Sequence, residues 1–93
     1  MKHIFEWDSG NMLKSITKHS IYNDEAESCF SDKKALTLAD EKHSEEEERF
    51  LLYGKSKYEN ILVSSFTIRD GRIRIISSRK ANKKEMKLYE NNQ

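Results

Sequence analysis

Apolar and polar residues alternate most clearly in the second half of the chain, where the pattern predicts a β-meander. Three segments carry the alternation: RFLLYGKS at 49–56, ILVSSFTI at 61–68 and RIRIISS at 72–78. Asp70-Gly71 lies between the last two, and an Asp-Gly pair at such a place favours a two-residue type I′ hairpin turn. With a shorter strand predicted at 34–39, these segments predict an antiparallel sheet.

The first third of the chain has a strand pattern followed by two helix patterns. Residues 2–7 alternate and predict a strand with His3, Phe5 and Trp7 on one face. A helix is expected to run from a cap at Asp8 or Ser9 to about Lys18. The residues of its apolar stripe are Met12, Leu13 and Ile16. A second helix, capped by Asn23 or Asp24, would complete an N-terminal helical hairpin. The residues on its buried side are Ala26, Cys29 and Phe30.

A C-terminal helix is predicted to begin near Asn82, whose side chain can cap it while Glu85 lies three positions later. Met86 and Tyr89 would form its buried side. The element order predicts one α+β domain over residues 1–93, with the helices covering one face of a curled antiparallel sheet.

The net charge of +1 conceals an uneven distribution along the chain. Residues 24–50 hold ten acidic and four basic side chains, whereas residues 67–93 hold eight basic and three acidic ones. The segment at 40–48, DEKHSEEEE, is too charged to pack and is expected to be a solvated loop. Two interpretations remain open: the basic C-terminal third binds an anion, or the charges only form a solvated surface.

Several classes of protein are excluded by composition. The single cysteine, Cys29, permits no internal disulfide, and no apolar run approaches the length that spans a membrane. A soluble cytoplasmic protein is therefore expected. Three scattered histidines and one cysteine give no metal-ligand spacing, and no glycine-rich phosphate loop is present. We expect neither a metal nor another cofactor.

Motifs spread over nearly the whole chain resemble those of a known family. They are FEWD at 5–8, KH at 18–19, DEKHSEEEERF at 40–50, RIISSRK at 74–80 and the Glu-x-x-x-Tyr-Glu pattern at 85–90. In this order and spacing they resemble the BrnT toxins. The chain departs from the family pattern at Ser15, Ser20, Ser78 and Met86, where members usually have Asn, Gly, Ala and Arg.

The resemblance implies a compact fold related to RelE-type ribonucleases and an RNA-cleaving toxin that arrests growth. It also implies neutralisation by a BrnA antitoxin with a ribbon–helix–helix part, which alone would contact DNA. A complex of two toxins and two antitoxins is then expected. The alternative is a non-catalytic subunit, a decayed toxin that only binds an antitoxin or nucleic acid, and Ser15, Ser20 and Met86 keep that alternative open.

Cleavage of RNA without metal requires a group that takes the 2′ proton, a cation at the phosphate and a donor for the leaving oxygen. Arg74 and Arg79 lie in the most family-like segment, and we expect them to contact the phosphate because a guanidinium bonds two phosphate oxygens. Arg69, Arg72, Lys80 and Lys14 are expected to add RNA contacts. For Arg72 an alternative has equal weight: its side chain is exposed to solvent and forms a salt bridge with an acidic residue of the segment at 24–50.

The proton-transfer candidates each have a structural alternative. Lys18 and His19 would end the first helix, where a cation is stabilised by the helix dipole, and His19 is the preferred histidine for catalysis. Glu48 could act as a base near the phosphate or form an ion pair with Arg49. His43 could serve only to order its loop.

Overall fold

The fold is described from a computed structural model, which describes residues 3–11, 19–43 and 45–92. Four antiparallel strands form one sheet in the order β1 (Leu36–Ala39), β2 (Phe50–Lys55), β3 (Ile61–Arg69) and β4 (Arg72–Lys80). The helices that lie wholly within the described residues are α1 (Asn23–Ser28) and α2 (Lys83–Asn91), with 3₁₀ turns at Cys29–Ser31 and Glu41–His43. The domain is α+β, and no described helix has the length and apolar character needed to span a membrane.

The predicted meander is confirmed, and its strands differ from the prediction only at their ends. The β3–β4 hairpin closes through Asp70 and Gly71, whose φ angles of 50° and 75° are the pair of positive values that a type I′ turn requires. Glycine reaches this conformation without strain because it has no Cβ. Strand β4 continues to Lys80, two residues beyond the predicted end, because Leu62 and Val63 of β3 still pair with it there.

The N-terminal segment pairs with the sheet at one point, so the strand predicted at 2–7 is wrong in extent for the described residues. Phe5 forms a single parallel bridge with Ile73 of β4. Beyond it, a turn at residues 9–11 directs the backbone away, and the side-chain amide of Asn11 donates to the carbonyl oxygens of Glu6 and Ile75. A buried side chain thus replaces the backbone hydrogen bonds that a longer strand would make.

Helix α1 begins without the side-chain cap that the sequence favoured. Tyr22 occupies the N-cap position, and Asn23 and Asp24 already lie inside the helix, so the predicted cap is wrong. Ala26 and Cys29 are buried, as predicted for this segment. The body of the expected first helix, residues 12–18, lies outside the described residues, and the N-terminal helical hairpin stays a prediction.

The two described helices pack against opposite faces of the sheet, which corrects the expectation that helices cover one face. Adjacent strand residues point to opposite faces. Leu52 and Leu62 join a cluster with Ala26 and Cys29 of the α1 region. Their neighbours Tyr53 and Val63 join a second cluster with Tyr89 of α2. We call these the α1 face and the α2 face.

Helix α2 begins as predicted. The side chain of Asn82 accepts a hydrogen bond from the Glu85 backbone N–H, and the Glu85 carboxylate accepts one from the Asn82 N–H. Of the two residues predicted on its buried side, Tyr89 is buried and Met86 is half-buried. The segment at 40–48 is largely exposed, as expected for a charged loop, and the His43 ring lies 3.0 Å from an Asp40 carboxylate oxygen.

Candidate functional site

Four arginines lie on the α2 face because of the register between β3 and β4. Arg69 pairs with Arg72, Thr67 with Arg74 and Val63 with Arg79. Arg74 and Arg79 are an odd number of residues apart, which in a regular strand would place them on opposite faces. A β-bulge next to Ser65 and Phe66 inserts one extra β4 residue, Ile76, and so returns Arg79 to the α2 face.

Arg74 is held by a carboxylate from the N-terminal segment. Its Nη1 and Nη2 atoms donate to the two carboxylate oxygens of Asp8 at 2.7 and 2.9 Å, and only 12% of the Arg74 side chain is exposed. A Cβ on Gly10 would lie 2.9 Å from Nη2, so the close approach depends on a glycine there. The hydrogen bonds from Arg74, followed by one from the Gly10 N–H, lower the pKa of Asp8.

Arg79 is held by a carboxylate from helix α2. Both of its terminal nitrogens donate to Glu85 at 2.8 Å, while 42% of the Arg79 side chain remains exposed. The hydrogen bond from Arg79 lowers the pKa of Glu85, and the bond from the Asn82 N–H acts in the same direction. One carboxylate thus caps α2 and fixes the direction of the guanidinium.

Arg69 is paired with the acidic loop. Its Nε and Nη2 atoms donate to Glu47 at 3.0 Å each, and 47% of its side chain is exposed. This pair matches the alternative in which the basic strands bond the acidic middle of the chain. Arg72 and Lys80 are exposed and make no ion pair with a described residue. They are the candidates whose charge is not compensated by a described carboxylate.

The remaining predicted site residues are not drawn into this arrangement by described contacts. His19 is exposed, and no hydrogen bond joins its side chain to another described residue. Glu48 is exposed at the entry to β2, where its backbone carbonyl accepts a hydrogen bond from Thr67. Lys14 and Lys18 lie outside the described residues.

Sequence reasoning missed the carboxylates that pair with the arginines. Asp8 was interpreted as a cap of the first helix and Glu85 as part of the cap of the last one, and the acidic middle that contains Glu47 was named as an alternative partner only for Arg72. For Glu85 a signal existed, because the capping box fixes it at the start of α2 and Arg79 lies six residues earlier. For Asp8 and Arg74, which are 66 residues apart, the sequence contains no comparable signal.

The pairing limits what the arginines can do chemically. A guanidinium has five N–H donors. The bidentate bond of Arg79 to Glu85 uses one hydrogen on each terminal nitrogen, and Nη1 also donates to the Lys80 carbonyl oxygen at 3.4 Å. The second hydrogen of Nη2 and the hydrogen of Nε can still reach a phosphate. Arg74 has the same pairing but little exposed surface, so a phosphate would reach it only if the Asp8 pair opened. Arg79 is therefore the more accessible of the two predicted phosphate ligands.

Among the residues that the structure describes, no three His, Cys, Asp or Glu side chains lie close enough together to hold a metal ion. The chemistry that the described part of the site offers is that of arginine–carboxylate pairs beside an exposed arginine and lysine.

Comparison with known proteins identifies the family. The sequence model of the family described as "Ribonuclease toxin, BrnT, of type II toxin-antitoxin system" matches residues 7–85. A comparison with curated proteins gives no match. The matched range contains Asp8, Arg74, Arg79 and Glu85, so both bidentate pairs around β4 fall inside it. The chain belongs to the BrnT family of ribonuclease toxins of type II toxin–antitoxin systems, and a partner antitoxin is implied.

Proposed function

We propose that the chain is an endoribonuclease that cleaves RNA without a metal ion and thereby arrests growth. The observation that supports this best is the Arg79–Glu85 pair, because it holds a charged, partly exposed guanidinium in a fixed direction on the same face as Arg72. A preorganised cation is most effective at the point where negative charge develops during phosphoryl chemistry. The proposed relation to RelE-type ribonucleases rests on the motif resemblance alone.

In the proposed reaction the 2′-hydroxyl oxygen attacks the adjacent phosphorus and the 5′-oxygen leaves. The products are a 2′,3′-cyclic phosphate and a 5′-hydroxyl end. Arg79 would stabilise the charge on the phosphoryl oxygens, with Glu85 as its positioning residue. Arg74 would add to this after its Asp8 pair opens. His19 would take the proton of the 2′-hydroxyl and deliver it to the leaving 5′-oxygen, since an imidazole can both accept and donate a proton.

The other predicted residues have supporting roles in this proposal. Arg69, Arg72 and Lys80 line the same hairpin or follow it and would bind flanking phosphates. Lys14 and Lys18 would add positive charge, and Glu48 is the proposed alternative base.

The proposal is tested by expressing the chain without its antitoxin and by incubating the purified protein with RNA in the presence of a chelator. We expect growth arrest and products with 5′-hydroxyl ends. Arg79→Ala should reduce cleavage by about 100-fold or more, the effect typical of removing one group that stabilises developing charge. Lys33→Ala, which removes an exposed cation far along the chain from β4, should change it little.

Thermal unfolding of both variants verifies that they are folded. A wild-type chain that neither arrests growth nor cleaves RNA contradicts the ribonuclease proposal. In that case the second candidate is favoured: a decayed toxin that binds an antitoxin or nucleic acid without catalysis. It is supported by the ion pairs that three of the arginines already form with carboxylates of the same chain.

For the partner we propose a BrnA-type antitoxin with a ribbon–helix–helix DNA-binding part. Two antitoxins that dimerise through that part would join two toxins, and DNA would be contacted only through the antitoxin. The mass of the co-expressed toxin–antitoxin complex tests this stoichiometry. We expect the mass of two toxins and two antitoxins, and the mass of a one-to-one complex would contradict the proposal.

A further inference from the structure

A groove of about 440 Å³ lies between β2 and helix α2, beside the Arg79–Glu85 pair. The residues that line it are Tyr53, Asn82, Lys84, Glu85, Lys87 and Leu88, together with Asn91. The mechanism proposed above uses only Glu85 among them. The groove is therefore a separate surface that shares one wall with the candidate site.

Tyr53 gives the groove an unused hydrogen-bonding group. Only 7% of the Tyr53 surface is exposed, yet its side chain lines the groove and its hydroxyl makes no hydrogen bond to any described residue. The hydroxyl itself keeps contact with solvent at the groove, so its hydrogen can be donated to an acceptor that enters there.

The rim of the groove is positively charged. Lys84 and Lys87 are three positions apart on α2 and so lie on the same side of the helix. The only carboxylate among the lining residues, Glu85, is already bonded to Arg79. The charges left uncompensated at the groove are therefore two cations.

An exposed leucine makes this surface unlike a simple phosphate site. Leu88 is 44% exposed and also lines the groove. A single exposed leucine is common on protein surfaces, but this one shares a groove with two lysines and the Tyr53 hydroxyl, and a protein segment can match that combination of apolar and polar groups. A phosphodiester could bond the lysines and the hydroxyl, but it offers nothing that would bury Leu88.

We propose that this groove binds an acidic amphipathic segment of the antitoxin. An apolar side chain of that segment packs against Leu88 and the ring of Tyr53. Its carboxylates lie between Lys84 and Lys87, and one acceptor takes the Tyr53 hydroxyl bond. Because the groove adjoins Arg79, the bound segment also covers that guanidinium. This last consequence rests on the proposed function, whereas the binding itself does not.

The test measures binding of the purified antitoxin, the product of the co-expressed adjacent gene, to purified toxin variants by calorimetry. The double charge reversal Lys84→Glu and Lys87→Glu should weaken binding by about tenfold or more at low salt and by less at high salt. Tyr53→Phe should weaken it by about threefold to tenfold through the lost hydrogen bond. Lys83→Glu is the matched control: it reverses an exposed charge on the same helix but does not line the groove, and it should leave the affinity unchanged.

An unchanged antitoxin affinity in either the double lysine variant or Tyr53→Phe overturns the proposal. If the variants keep the antitoxin affinity but lose RNA cleavage, the groove binds RNA instead. Thermal unfolding verifies that each variant is folded, and Tyr53→Phe removes no hydrogen bond within the described chain. Because binding is measured without RNA, a toxin that proves inactive still gives a clear result.

Discussion

Asp32 joins three parts of the chain through one carboxylate. Its oxygens accept hydrogen bonds from the backbone N–H groups of Lys34 and Lys55 and, at 2.6 Å, from the hydroxyl of Tyr89. Burial is the largest influence on the pKa of Asp32 and raises it, but the three hydrogen bonds together outweigh burial, and the pKa is lowered. The ionised carboxylate of Asp32 therefore holds helix α2, through Tyr89, close to Lys55 at the end of β2.

Removing the Tyr89 hydroxyl tests this junction at the scale of a single atom. Burial, followed by the bond to Asp32, raises the pKa of Tyr89 to about 12, so the phenol is the donor at neutral pH. Tyr89→Phe should lower the free energy of unfolding by about 1.5–3 kcal/mol, the range for a hydrogen bond to a charged group. Urea unfolding measures it. The control is Tyr58→Phe, at a tyrosine that is 62% exposed, and equal effects of the two changes would contradict the role of Asp32.

Residue roles were predictable from the sequence only where the partner is near in the chain. The Asn82 and Glu85 cap follows from spacing alone. The bonds of Tyr89 to Asp32 and of Arg74 to Asp8 join residues 57 and 66 positions apart, and they exist only because the sheet brings those segments together. The sequence therefore located the arginines on the last strand and offered the acidic middle as an alternative partner of Arg72, but it assigned no arginine its individual carboxylate.

At the scale of the element, helix α2 depends on its first turn. Only nine residues long, it would be marginal in isolation, and its cap satisfies backbone N–H groups that no earlier turn can bond. The same Glu85 that completes the cap holds Arg79, so the start of the helix and the candidate site share one residue.

Asn82→Ala should therefore destabilise the protein by about 1 kcal/mol, the usual cost of losing an N-cap side chain. It should also reduce RNA cleavage, because Glu85 loses part of its support. Asn82→Asp retains an acceptor at the same position and is the matched control for both measurements. If Asn82→Ala unfolds at the same urea concentration as the wild type, the cap does not stabilise α2.

The elements themselves were largely predictable, and the exceptions have physical causes. Alternation and the Asp-Gly turn locate β2, β3 and β4 because each strand has a buried side and a turn of fixed chemistry. The alternation Arg-Ile-Arg-Ile breaks at Ile76, where a second isoleucine follows Ile75, but such a break does not by itself identify a bulge. The bulge decides whether Arg74 and Arg79 lie on the same face of the sheet. The geometry of the candidate site therefore depends on a feature that could not be predicted from the sequence.

At the scale of the whole molecule, ion pairs connect the sheet to segments far apart in the chain. Arg74 bonds the N-terminal segment, Arg69 the acidic loop and Arg79 helix α2, while Lys57 in the β2–β3 turn bonds Asp24 of α1. A chain of 93 residues has a small core, so polar links of this kind carry more of its stability than they would in a larger domain. Most of them require an ionised carboxylate.

The dependence of stability on pH follows from these carboxylates. Asp8, Glu47 and Glu85 have pKa values below their ordinary 3.8 or 4.5, in each case chiefly because an arginine hydrogen-bonds the ionised form. A group whose pKa is lower in the folded state contributes its stability above the unfolded value and loses it as the pH falls through the folded value. The melting temperature should therefore fall on acidification, starting near these ordinary values and continuing below them as the carboxylates are protonated.

Glu85→Gln identifies the source of this fall. Glutamine can still complete the capping box, but it carries no charge for Arg79. The variant should melt at a lower temperature than the wild type at pH 7, lose less stability on acidification, and approach the wild type once Glu85 is protonated. Glu90→Gln, at an exposed glutamate without an ion pair to a described residue, should instead follow the wild-type curve. Parallel curves for Glu85→Gln and the wild type would mean that the Arg79 pair contributes nothing to acid sensitivity, and the fall would then have to come from Asp8 and Glu47.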